Sequence, residues 1–256
     1  MWGDPELLAS GLAFSLPLLL ILLAHELGHY LWCRHYRLPA TAPLFLPAPF
    51  GFGTLGAFIR IRAPLRDRRQ LLDVGAGGPI AGFVVLLPFL IYGIAHSRPA
   101  AIEPVAPAVA NSLLYRPGSS LLMEIAVWLF HGPLPRGTVL DLHPFALAAW
   151  AGLLATSINL LPVGQLDGGH ILYAAAGRRQ RPVAVLLWIL MAAAGSLWPG
   201  WWLLALLVLI FGLRHPPVLD ESVQLDRRRR LVAWAALAIL VLSFMPAPVE
   251  VVFLRI

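Results

Sequence analysis

Between Leu7 and Ala24 the sequence is almost wholly apolar, and this run limits the fold more than any other stretch. At a helical rise of ~1.5 Å per residue it covers most of a ~30 Å hydrocarbon core, where a helix is the simplest element that pairs its own backbone. Asp4, Pro5 and Glu6 precede it in the order of a helix start: a capping side chain, a proline in the first turn and a carboxylate at the positive end of the dipole. Similar runs extend from Gly77 to Ala95, from Pro144 to Leu161 and, shorter, from Leu231 to Phe244. Between Val183 and Leu213 the apolar run is broken by Ser196-Leu197-Trp198-Pro199-Gly200, which predicts two short helices joined by an interfacial turn. A single kinked helix is the alternative there, and it would reverse the last span. Leu121 to Phe130 is too short to span and is expected to lie at the interface or to re-enter.

Composition agrees. Hydrophobic residues make up 59% of the 256 and charged ones 12%, about half the charged share of an ordinary soluble domain. The net charge of +6 does not point to nucleic acid, because the arginines fall in short clusters beside apolar runs, as membrane orientation signals do. With the N-terminus outside and six spans, the inner segments hold Arg34, Arg37, Arg60, Arg62, Arg66, Arg68, Arg69, Arg178, Arg179, Arg181, Arg214 and Arg227 to Arg230, against Arg98, Arg116, Arg136 and Arg255 outside. Cys33 is the single cysteine, so any metal must be held by His, Asp or Glu. The start of the chain has no basic segment and no small-residue cleavage pattern, so no removable signal peptide is expected.

His25-Glu26-Leu27-Gly28-His29 fits H-E-x-x-H. Two histidines four apart share a helix face and can reach one zinc ion, with the intervening glutamate within range of a water on the metal. Three ionisable groups in one turn of a membrane helix are costly and mark function. A catalytic zinc needs a third protein ligand and an open position. Asp167, directly after the Pro144 to Leu161 run, is the candidate. The arginine-derived topology sends both helices inward, so His25, His29 and Asp167 arrive at similar depth near the cytoplasmic side.

H-E-L-G-H in the first run, with N-x-x-P-x-x-x-L-D-G-G-H from Asn159 to His170 in a later one, resembles the site-2 protease family of intramembrane zinc metalloproteases (peptidase family M50). The resemblance extends from about Leu7 to Tyr173. It implies His25, His29 and Asp167 as ligands of Zn2+, Glu26 as general base, and Asn159 beside the substrate peptide or its developing oxyanion. A helix-capping or interhelical hydrogen bond is the other reading of Asn159. His170, three residues after Asp167, suits a hydrogen bond behind the ligands, since a fourth-ligand role would close the position that water needs. His35, His96, His131, His143 and His215 read as interfacial residues.

Pro43 to Arg62 is punctuated by proline and glycine, carries Phe45, Phe50, Phe52 and Phe58, and alternates with period two from Gly56 to Arg62. It resembles the family's membrane-associated β-hairpin, whose edge could pair with an extended peptide; an amphipathic loop on the inner leaflet is the alternative. Gly78 and Gly82 suit close helix packing, and the Arg227 to Arg230 run suits anchoring to an anionic membrane surface.

The expected fold class is thus an all-α polytopic membrane protein of about six transmembrane helices with a small membrane-associated β-hairpin. The expected organisation is a catalytic membrane core over 1–176 and C-terminal transmembrane helices over 177–256, with no PDZ or other soluble domain. The expected partners are the lipid bilayer and a membrane-protein substrate, single-span or pre-cleaved, with no nucleic acid; no signal bears on oligomeric state. The expected location is a prokaryotic cell membrane with the active site towards the cytoplasm. A metal transporter gives no reason for Glu26 or Asn159, and an inactive scaffold gives none for a complete set of ligands and base.

Overall fold

The computed structural model describes residues 5–47, 54–101, 113–135 and 137–253. Helix α1 (Pro5–His35) continues well past Ala24, because the polar turn at His25 to His29 is buried against other helices rather than released at a membrane surface. A β-ribbon follows, with β1 (Leu44–Pro47) antiparallel to β2 (Thr54–Phe58) and Leu44 opposite Phe58. The hairpin expected over Pro43 to Arg62 is therefore present, and a bridge between Ala40 and Ile61 extends it. Phe50 and Phe52 lie outside the described residues.

Helix α2 (Arg68–Ala95) starts well before the apolar run at Gly77, because its cap is Asp67, whose carboxylate accepts from the N–H groups of Arg69 and Gln70, each at 2.9 Å. Then come β3 (Arg98–Ala101), β4 (Leu113–Pro117), α3 (Leu121–His131), β5 (Thr138–Asp141), α4 (Pro144–Leu160) and α5 (Asp167–Ala176). A single 3-10 turn leads into α6 (Gln180–Ala194), followed by α7 (Gly200–Phe211), α8 (Arg227–Ser243) and β6 (Val249–Phe253). Two ribbons escaped the sequence reading: β3 with β5, and β4 with β6. Their strands are four or five residues long and come from distant segments, so no local turn announces them.

Among the described residues two helices, α1 and α2, are long and apolar enough to cross a bilayer. The other helices run from 10 to 17 residues, short of the ~20 that a full span needs. Of the six spans expected, these two are displayed at full length, and α4 and α8, at 17 residues each, reach the lower end of the ~17–25 that can span. The apolar run from Pro144 ends at Leu160, where a proline-bearing loop breaks it, and the run from Val183 is divided between α6 and α7 at the expected tryptophan-proline turn. Those two pack as a hairpin, Trp188 Nε1 donating to Ala205 O at 2.8 Å and Trp202 Nε1 to Ala192 O at 2.9 Å.

The interior is centred on α1, α2 and α4, with Ile21, Leu86, Leu90 and Leu153 fully enclosed. Small residues set the spacing: a Cβ at Gly152 would press on Ile21 and Leu86, and one at Gly93 would run into the Ala146 backbone. On the outer side of α1, Leu8, Leu12, Leu16, Leu20 and Leu31 are exposed, as are Ile189, Leu206 and Trp234 on later helices. So much outward apolar surface has water as a poor solvent and lipid as a good one, which places the chain in a membrane.

Candidate metal centre and active site

Helix α1 presents His25 and His29 on one face, and α2 meets that face through glycines. A Cβ at Gly78 would run into the His29 ring, one at Gly28 into the Gly77 carbonyl, and one at Gly82 would touch His25. The close approach expected from Gly78 and Gly82 is therefore what admits the two rings between the helices. At the start of α5, after the turn that leaves α4, Asp167 projects into the same space.

The three side chains converge. Asp167 Oδ2 lies 3.1 Å from His25 Nε2 and 3.4 Å from His29 Nε2, and the two Nε2 atoms are 3.1 Å apart. His29 Nδ1 donates to Val74 O at 2.7 Å; a carbonyl only accepts, so the proton of a neutral His29 sits on Nδ1 and its Nε2 lone pair faces the cluster. With His25 unprotonated at Nε2, three electron-pair donors are turned towards one point, and a cation among them relieves their repulsion. A tetrahedral zinc with bonds of about 2.0–2.1 Å separates its ligand atoms by about 3.3 Å, so this donor set fits that ion.

Glu26 is buried beside this cluster and, with His25 and Asn159, lines a cavity of about 260 Å³. Its other walls are small or aliphatic, among them Gly56 and Ala57 of β2 and Gly152, Ala155 and Thr156 of α4. The Ile59 backbone hydrogen-bonds Glu26, so the ribbon touches the carboxylate directly. Asn159, in the last turn of α4, places Nδ2 3.4 Å from His25 Nε2. Both readings of Asn159 are thus compatible with its place: an interhelical contact that also faces the cavity.

His170 stands outside the triangle. It packs on Gly75 of α2, and its Nδ1 lies 2.6 Å from Nε2 of His215, whose own Nδ1 donates to Pro216 O at 2.5 Å. His170 thus bonds to a histidine of the α7–α8 connection and not to a ligand. His215, expected at an interface, is buried and stacked on Tyr173 with ring centroids 4.6 Å apart; burial holds its imidazole below the usual value. The remaining histidines satisfy local backbone or ring contacts: His143 caps α4 through Phe145 N, His131 meets Ile94 O, His96 meets Tyr92 O, and His35 packs on Trp32.

One arginine of the Arg227 to Arg230 run turns inward. Arg229 holds the buried Asp73 of α2 with Nε 3.0 Å from both oxygens and a second nitrogen 2.6 Å from Oδ2, and Tyr36 at the end of α1 shares the same carboxylate. This joins α8 to α2 and to the end of α1, the pair of helices that encloses the two histidines, a task that membrane anchoring alone does not require.

The sequence model described as Peptidase family M50 matches residues 13–197, which include every residue of the triangle. The chain belongs to peptidase family M50.

Relatives of this M50 chain include the Arabidopsis thaliana protein named probable zinc metalloprotease EGY2, chloroplastic, 37% identical over 174 residues, covering 68% of this chain and 30% of that protein. The Arabidopsis probable zinc metalloprotease EGY1, chloroplastic, is 32% identical over 259 residues, covering 95% of this chain and 45% of that protein. A protein of Oryza sativa subsp. indica named as EGY2 is 36% identical over 175 residues, covering 68% of this chain and 31% of its own length. The chain thus spans less than half the length of the curated relatives it matches. Those names describe plastid proteins; they lend no support to the expectation of a prokaryotic cell membrane.

Within this M50 framework the residues that sequence reading missed share a property: their partners are far along the chain. Asp73 carried a usable signal, a carboxylate near the start of an apolar helix, where a charge must find a partner. His215 and the Val74 carbonyl carried none, because a loop histidine and a backbone oxygen acquire their roles only from what packs against them.

Proposed function

We propose that this chain is a zinc-dependent intramembrane endopeptidase that hydrolyses peptide bonds in transmembrane or membrane-proximal segments of protein substrates. The observation that carries this reading is the convergence of His25, His29 and Asp167, at separations of 3.1 to 3.4 Å, beside a buried Glu26 that opens into a cavity. The relatives' names, which include a zinc metalloprotease activity, support it.

Zinc held by His25, His29 and Asp167 would supply a Lewis acid that brings the pKa of a water towards neutrality and polarises a peptide carbonyl. Glu26 takes a proton from the attacking water and passes it to the leaving amine. Val74 O keeps the His29 ring turned with Nε2 towards the cluster. The Asn159 amide donates to the oxyanion that develops on the attacked carbonyl. The edge of β2, whose Gly56 and Ala57 line the cavity, pairs with the peptide main chain once the substrate helix has unwound.

In this reading 1–176 forms the catalytic membrane core and 177–256 supplies the C-terminal helices, α6 and α7 crossing or entering the bilayer as a pair. The arginine distribution supports an outer N-terminus and a site near the cytoplasmic face. Substrates are single-span or already cleaved membrane proteins, and the activity is regulated intramembrane proteolysis.

The test uses purified protein in detergent or vesicles with a fluorogenic single-span substrate and metal analysis. Glu26→Gln should retain one zinc per chain and lose cleavage by at least ~10²-fold, and His25→Ala should lose both. Full cleavage by Glu26→Gln would remove Glu26 as the base, and zinc flux into liposomes without cleavage would replace the enzyme by a transporter.

A further inference from the structure

A second cavity, about 510 Å³, lies between α4, α5, α6 and α8 and shares no lining residue with the one beside Glu26. It is a groove along the helices. From Arg230 to Leu240 it follows α8 for about 15 Å at ~1.5 Å per residue. Ala233 and Leu237 of α8 and Ile171, Leu172 and Ala175 of α5 line it. Its polar contributions from side chains come from one end, where Gln224 and Arg230 stand at the start of α8. Arg230 Nε donates to Leu225 O at 3.2 Å, which anchors the guanidinium at that end, and Trp234, 66% exposed, stands at its open side.

Chemistry selects the occupant. An extended peptide would leave its N–H and C=O groups facing aliphatic walls, at a cost that membrane interiors do not tolerate. A hydrocarbon chain asks nothing of those walls. The charge of Arg230 at one end then favours an anion on that chain, whereas the exposed Arg227 and Arg228 do not line the groove.

We propose that this groove is a binding site for one acyl chain of an anionic phospholipid, with its phosphate held at Arg230. Leu160 and Gly168, which line the groove, directly follow Asn159 and Asp167, so the lipid lies against the backbone of both active-site turns.

The experiment is native mass spectrometry of the full chain released from vesicles of equal phosphatidylglycerol and phosphatidylcholine. One phosphatidylglycerol per chain should be retained in preference to phosphatidylcholine. Arg230→Gln should reduce that preference about tenfold and Arg228→Gln should leave it unchanged. Ala233→Phe and Ala175→Leu fill the groove from different helices and should each abolish retention, so the loss of either variant to misfolding leaves the other to decide. Equal retention of the two lipids by the parent chain, equal effects of Arg228→Gln and Arg230→Gln, retention unchanged in a folded wall variant, or a co-purified peptide or second copy in place of lipid would each overturn the site. Because the readout is lipid retention and not cleavage, failure here leaves the proteolytic reading intact.

Discussion

Gly78 of α2 lies directly beneath the imidazole of His29, so close that a single added carbon would occupy the space of Nε2, the atom turned towards Asp167. The position of one candidate ligand therefore depends on the absence of a side chain on another helix.

Gly78→Ala must displace the His29 ring or part α1 from α2. We expect about 10–100-fold weaker zinc binding, the range over which disturbed support of a metal ligand acts, with helix content unchanged by circular dichroism. Wild-type zinc affinity in Gly78→Ala would show that the ring sits elsewhere.

Asn159→Leu keeps the size of the side chain and removes the donor. If the amide meets the developing oxyanion, kcat should fall by ~10²–10³ with zinc content retained and KM little altered. An interhelical role alone predicts loss of stability with kcat preserved in the folded fraction.

The cavity beside Glu26 is walled by Gly152, Ala155 and Thr156, residues that leave room rather than fill it. Ala155→Phe should lower kcat/KM for substrates with bulky residues at the cleaved bond by roughly tenfold or more relative to those with glycine or alanine, without loss of zinc. A uniform effect across such a substrate series would place the scissile bond outside this cavity.

Arg229→Gln leaves the carboxylate of Asp73 buried and without its cation. A cost of about 3–5 kcal/mol is expected in detergent unfolding, as for other broken buried pairs, and the double variant Asp73→Asn/Arg229→Gln should recover part of it. Additive losses in the two single variants would mean that the residues act independently, against the 2.6 Å contact between them.

Much of the site was legible without coordinates. H-E-x-x-H is a local pattern, since 3.6 residues per turn dictate that His25 and His29 share a face, and the apolar run around it dictates a membrane helix. Asp167 was reachable as the carboxylate directly after the Pro144 to Leu161 run, with arginine counting as a check on its expected depth that carries no lateral position. The count of full-length spans was less legible, because hydropathy marks how apolar a run is and not where a proline, a glycine or a cap ends the helix. The expected hairpin was found, as period two is also local, whereas the ribbons β3 with β5 and β4 with β6 unite segments too distant and too short to be seen.

By itself, then, the sequence determined the solvent of this protein and singled out the candidate donors, both of which follow from local spacing and the cost of charge in hydrocarbon. Tertiary structure alone decided that those donors meet at 3.1 to 3.4 Å, that Val74 and Gly78 orient His29, that His170 turns to His215, and that Arg229 leaves the membrane surface for Asp73. Each of these depends on how closely two helices approach, and that distance is set by packing between residues that no sequence period connects.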